Sequence, residues 1–151
     1  NNSSIMKKTL IILFLLISAH ASACSCIRTI LSKKDYDYAK LILKGKVLKV
    51  NVDKEKYHKI ITFKVIESYK GKVNNIIKIT TPISGASCGV PVNKDDKWLF
   101  FISDFKNSNY ISLCGKHIRY NRKPEQDKTH YKKNCKKLKS YIKKLKSYKN
   151  G

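Results

Sequence analysis

A mainly β domain, built from five short strands with two flanking helices and held by disulfides, is the fold this 151-residue chain predicts. Three observations point there. Several segments alternate apolar and polar residues, turn residues separate them, and five cysteines follow an export leader.

The leader decides which residues the finished molecule keeps. Met6 precedes Lys7 and Lys8, an apolar run from Leu10 to Ile17, and small residues ending in Ala21, Ser22 and Ala23. That is the order of a secretory signal peptide, assigned to residues 6–23; the five residues ahead of Met6 are given no structural role. The run falls far short of the ~20 residues that span a bilayer, so the expectation is a secreted, extracellular protein with no transmembrane segment. Cleavage after Ala23 leaves 128 residues, a typical length for one domain, and makes Cys24 the first residue. Cys24, Cys26, Cys88, Cys114 and Cys135 all survive the cut. An oxidising compartment favours their pairing, but five is odd, and spacing alone does not select among the arrangements.

The strands follow in order. Residues 41–50, LILKGKVLKV, set Leu41, Leu43, Gly45 and Val47 on one face and Lys44 and Lys46 on the other. Residues 60–69, IITFKVIESY, repeat this with Ile61, Phe63 and Val65, and KGK reads as a turn into NNIIKIT at 74–80. A Pro/Ser/Gly loop at 81–91 leads to the apolar run WLFFI at 98–102, whose Trp98 reads as core rather than as a platform for bases. YISLC at 110–114 is the last strand and carries Cys114 at its end. Five short strands in a chain of this size fit a small closed barrel, for which the OB-type barrel is the natural candidate.

Two helices flank them. Ser32 and Asp35 form a capping-box pattern at the start of residues 31–39. The second helix opens at Pro124, with Glu125 and Asp127 in its first turn, and runs to about Tyr148 with Leu138, Tyr141, Ile142 and Leu145 on one face. The expected organisation is an OB-fold domain at 24–135 and a Lys-rich helical tail at 136–151 whose apolar stripe packs on the barrel.

Charge points to anionic partners only in a general way. The formal balance is +23, or +21 without Lys7 and Lys8. Arg28, Arg119 and Arg122 are the only arginines among 33 basic residues. Lysine meets phosphate as a point charge rather than through a planar fork, so no specific nucleic-acid reading is expected; acidic surface polymers are the partner class the Lys-rich face admits. No HExxH, GxSxG or Gly-rich phosphate loop occurs, so the chain is not expected to be an enzyme or to carry a cofactor of its own. Cys24 and Cys26 alone do not make a structural zinc site. His58, His117 and His130 read as surface or hydrogen-bonded histidines.

Taken in order, CSC at the processed start, LILKGKV, FKVIESYKG, SGASCGV, ISLCG and HYKKNC give residues 24–135 a pattern that resembles the tissue inhibitors of metalloproteinases, in their N-terminal netrin-like domain. The resemblance implies an OB barrel with Cys24 bonded to Cys88 and Cys26 to Cys114. It leaves Cys135 unpaired or linked between chains, because no cysteine stands near 36–39, where that family carries its partner. It implies that the free α-amino nitrogen and carbonyl oxygen of Cys24 chelate the catalytic zinc of a target protease. Ser25 then points into the specificity pocket, with Cys26 and Ile27 beside it, and Ser84, Gly85, Ala86, Ser87 and Cys88 form the second edge of an inhibitory ridge. The family's second, disulfide-rich domain has no counterpart in this sequence. A competing expectation is a non-inhibitory netrin-type binding module attached to acidic polymers or envelope surfaces by its Lys-rich face, with or without a lipid anchor at Cys24 that would make it a periplasmic or outer-membrane lipoprotein. Such lipoproteins usually carry Leu where this chain has Ala21.

Overall fold

The computed structural model describes residues 24, 26, 30–121 and 128–150. The leader at 6–23, Ser25, Ile27 and the expected opening of the second helix at Pro124 lie outside them. Six strands and two helices are described. They run α1 (Lys33–Tyr38), β1 (Leu41–Asp53), β2 (His58–Lys70), β3 (Ile76–Pro82), β4 (Lys97–Phe105), β5 (Ser108–Tyr110), β6 (Ile118–Arg119) and α2 (Lys128–Asn150).

Strands β1 to β5 form a ring. Neighbours run β1-β2-β3-β5-β4, and β4 returns to pair with β1. Most of the pairing is antiparallel; the seam between β3 and β5 is parallel and narrow, at Thr80 and Tyr110. It is reinforced where the Ile111 N–H donates to the Thr80 carbonyl at 2.9 Å and the Thr80 hydroxyl to the Asn109 carbonyl at 3.1 Å. Register shifts in β1 at Lys44/Gly45 and Val47/Lys49 bend the long hairpin it makes with β2. Gly45 sits at the first of these because β2 comes so close that a Cβ there would strike the Lys64 carbonyl oxygen.

Two apolar layers explain why β1 and β4 contain unbroken apolar runs. Trp98, Phe100 and Ile102 turn into the ring with Leu41, Leu43, Val47, Ile61, Phe63, Ile79 and Ile111. Leu99 and Phe101, pointing the other way, join Ile42, Leu31, Leu138, Tyr141 and Leu145 in an outer layer under the helices. A strand covered on both faces loses the simple alternation of a half-exposed one. Phe100 is the centre of the inner layer, tilted against Phe63 at 5.0 Å and stacked with Trp98 at 5.3 Å between ring centroids.

The helices are seated as their sequences dictate. Ser32 and Asp35 make both halves of the capping box on α1. Helix α2 buries Leu138, Tyr141 and Leu145, with Ile142 half-covered beside them. Lys144 donates to the Leu31 carbonyl at 3.1 Å, Asn134 to the Arg119 carbonyl at 3.1 Å, and Tyr148 meets Tyr36 at 5.7 Å. Thus α2 is one continuous helix through Cys135 and Lys136, packed on the sheet. Among the described residues no helix is long and apolar enough to cross a membrane.

One strand differs from its expected position. β5 ends at Tyr110, and residues 112–115 form turns instead of continuing to Cys114. The reason is tertiary: Cys114 is drawn to Cys26, and the Leu113 N–H donates to the Cys88 carbonyl rather than to a strand neighbour.

A disulfide-clamped ridge as the candidate functional site

The loop from Ile83 to Gly89 stands beyond the end of β3 and is built from its own hydrogen bonds. The Gly89 N–H donates to the Ser84 carbonyl at 2.7 Å and the Cys88 N–H to the Gly85 carbonyl at 3.0 Å. Ser84 and Ser87 lie hydroxyl to hydroxyl at 3.1 Å, and the Ser87 hydroxyl is also 3.1 Å from the Ser84 carbonyl. Small hydroxylated residues suit such a turn because their side chains reach the local backbone. The neck is closed below by Thr81, fully buried, whose hydroxyl accepts from the Val90 N–H at 2.9 Å. Gly89 has no room for a side chain: a Cβ would run into the Pro82 carbonyl oxygen. Gly85, at the tip, has open space around it. Ser84, Gly85, Ala86 and Ser87 are exposed, while Cys88 is half-buried.

Two bridges tie the N-terminal arm to this loop and its neighbour. Cys24 is bonded to Cys88 and Cys26 to Cys114. Cys24 Sγ lies 3.7 Å from the Ala86 carbonyl oxygen. The Leu113-to-Cys88 hydrogen bond, 2.7 Å long, links the two acceptor loops to each other. The result is three short pieces of chain fastened side by side: the arm at Cys24 and Cys26, the loop at 84–88, and the turn at 112–115. Cys88 takes a left-handed φ of 65°, which L residues adopt only when the surroundings hold them. Its sulfur, amide and carbonyl are all engaged. Cys135 is unpaired and half-buried on α2.

His117 supports the third piece. The Phe101 N–H donates to its Nδ1 at 3.1 Å, so the ring proton sits on Nε2 and donates to the Ser112 carbonyl at 2.9 Å. The imidazole lies edge-on to Phe100 at 5.5 Å. Gly115 must be glycine, since a Cβ would collide with the imidazole. Burial disfavours the charged ring more than the Ser112 carbonyl favours it, and lowers its pKa to about 4. His117 is a neutral strut that sets the turn carrying Cys114. The sequence signal for it was slight, a histidine three residues after a cysteine. Thr81 gave none, because a strand threonine is ordinarily read as surface.

Of the ridge residues expected from sequence, Cys24, Cys26, Ser84, Gly85, Ala86, Ser87 and Cys88 are brought together, and Ser25 and Ile27 lie outside the described residues. His58 is half-buried at the start of β2, and His130 is exposed on α2, where it lines the same cavity as His117. Among the described residues no three His, Cys, Asp or Glu side chains converge. No protein-family model and no curated protein matches this chain.

Proposed function

We propose that the chain is a secreted inhibitor of zinc metalloendopeptidases, a single-domain protein of the tissue-inhibitor type with a netrin-like OB barrel. The ring order β1-β2-β3-β5-β4, closed through β1 and β4, supports the OB description. The single observation that carries the functional reading is covalent. Cys24 and Cys26 are cross-linked to an exposed, self-bonded loop and to the turn beside it.

Such a ridge is ordered before it meets a partner, so little entropy is lost on docking. In this reading the processed chain begins at Cys24, whose sulfur is held in the bridge while its α-amino nitrogen and carbonyl oxygen remain free to bind. A catalytic zinc keeps one position open for water, and the amine takes that position. The ligating form is the neutral amine, accessible because α-amino groups titrate near pH ~8. Ser25 enters the specificity pocket and residues 84–88 cover the opposite rim. The metal belongs to the protease.

The test compares purified protein beginning at Cys24 with the same protein extended by one N-terminal alanine, against a panel of zinc endopeptidases. Inhibition only by the unextended form, with at least a ~100-fold gap, is the expected result. Equal potency, or none in either, removes the inhibitor reading and leaves a binding module. An acylated Cys24 in the native protein does the same, since an amide nitrogen has no lone pair for zinc.

A further inference from the structure

We infer that the outward face of α2 is a docking strip for a linear phosphate polymer that carries no bases. The inference is independent of the inhibitory reading and concerns a different element.

Helix α2 contains ten lysines and no aspartate or glutamate. Lys132, Lys136, Lys139 and Lys143 are all exposed and recur at steps of four, three and four residues, which sets them on one line along the helix. At 1.5 Å rise per residue they span roughly 16 Å, about 5 Å apart on average. Leu138, Tyr141 and Leu145 are buried on the far side, so this line faces away from the protein. Ordinary solvated helices offset lysines with carboxylates three or four residues away. The ion pairs of Lys33, Lys40, Lys44 and Lys46 with Asp37, Asp104, Glu67 and Asp95 all lie outside α2. In α2 each lysine of the strip has another lysine as its neighbour instead. That arrangement is self-repelling until a polyanion covers it.

The chemistry of the strip selects among polyanions. Lysine with no arginine binds phosphate as a point charge, without the planar recognition that ordered base-paired targets exploit. Base stacking needs exposed aromatic faces. None of the three tyrosines of α2 offers a fully exposed face: Tyr141 is 4% exposed, Tyr148 is engaged with Tyr36 and Tyr131 is half-buried. Insertion into a membrane needs a free apolar face, and that of α2 is used up in the outer layer. What fits is a thin, flexible chain with one phosphate on each short repeat.

The test uses the full chain and poly(glycerol phosphate) as the probe. One variant carries K132Q, K136Q, K139Q and K143Q; the control carries K54Q, K56Q, K72Q and K94Q, the same charge removed from four exposed lysines of the ring and its loops. The α2 variant should bind at least ~10-fold more weakly at moderate salt. Its slope of log affinity against log salt should be shallower by about 3, the share of four phosphate contacts. The control should stay within about threefold of the parent. Thermal unfolding of the α2 variant at low salt should match or exceed the parent's, since like-charge neighbours have been removed, so weak binding is not loss of fold. Equal losses in the two variants would reduce the effect to net charge and overturn the proposal. So would parent-like binding by the α2 variant. Single-stranded DNA or anionic vesicles, bound through the strip as tightly as the probe, would overturn the ligand class.

Discussion

The ridge and helix α2 are held to the same ring by opposite means. The ridge contributes little to either apolar layer; its shape comes from two disulfides, a set of short loop hydrogen bonds and the strut at His117. Helix α2 has no disulfide and is seated by Leu138, Tyr141 and Leu145. One element is therefore fixed by covalent and polar links that leave its outer surface free for a partner. The other is fixed by burial of one stripe, which leaves its remaining surface free to be rich in lysine and without a carboxylate. The lesson is that an exposed site can be rigid without a core of its own, provided the cross-links lie directly beneath it.

Loss of the Cys24–Cys88 bridge should separate the two regions most sharply. Replacing Cys24 and Cys88 together by serine removes a link of sequence separation 64, worth roughly 4 kcal/mol on a chain-entropy basis. For a chain of this size that lowers the melting temperature by about 15 °C. Hydrogen exchange should show the 84–88 loop freed while α2 keeps its protection. Loss of protection in α2 to the same extent would mean that the two regions are not independent. The converse change is Leu145→Ala. Leu145 is fully buried, and the truncation should cost about 3 kcal/mol in chemical denaturation while both bridges still form in a thiol assay.

Acid distinguishes the two regions next. The pKa of His117 in the folded chain, about 4, lies below its ordinary 6.5, so protonation favours the unfolded state. Its contribution is complete above pH ~6.5 and is lost as pH falls towards 4, by up to about 3 kcal/mol. A melting-temperature profile over this range should be steeper for the parent than for His117→Asn. The smallest effect is expected at Gly85. Open space surrounds it and its φ is not in the left-handed region, so Gly85→Ala should change stability by less than ~0.5 kcal/mol. Under the proposed function it should nonetheless alter protease inhibition, because the added methyl stands on the proposed contact surface.

Legibility in the sequence followed the same division. β2 was readable from alternation around Ile61 and Phe63, and β3 from the KGK turn ahead of it; β1, covered on both faces at Leu41, Ile42 and Leu43, was readable only where Lys44 and Lys46 interrupt its apolar run. The stripe on α2 and the capping box on α1 were readable because helix period and cap chemistry are local. β5 was misplaced by a few residues because what ends it, the pull of Cys26 on Cys114 and the imidazole under Gly115, comes from residues distant in sequence or turned inward. β6 has two residues, too few for any period. The partners of the cysteines were implied by family resemblance rather than by spacing. The left-handed backbone at Cys88 had no local sign, since the residue type there is set by its bridge and not by its φ.

The central claim is that the terminal nitrogen and carbonyl of Cys24, on a pre-ordered ridge, bind the metal of another protein. The most direct measurement is the visible absorption spectrum of a cobalt(II)-substituted zinc endopeptidase titrated with the processed chain. The account predicts a spectral change of coordination that saturates at one equivalent for protein beginning at Cys24 and is absent when a single alanine precedes it. The same change with both proteins, or with neither while inhibition persists, would contradict it.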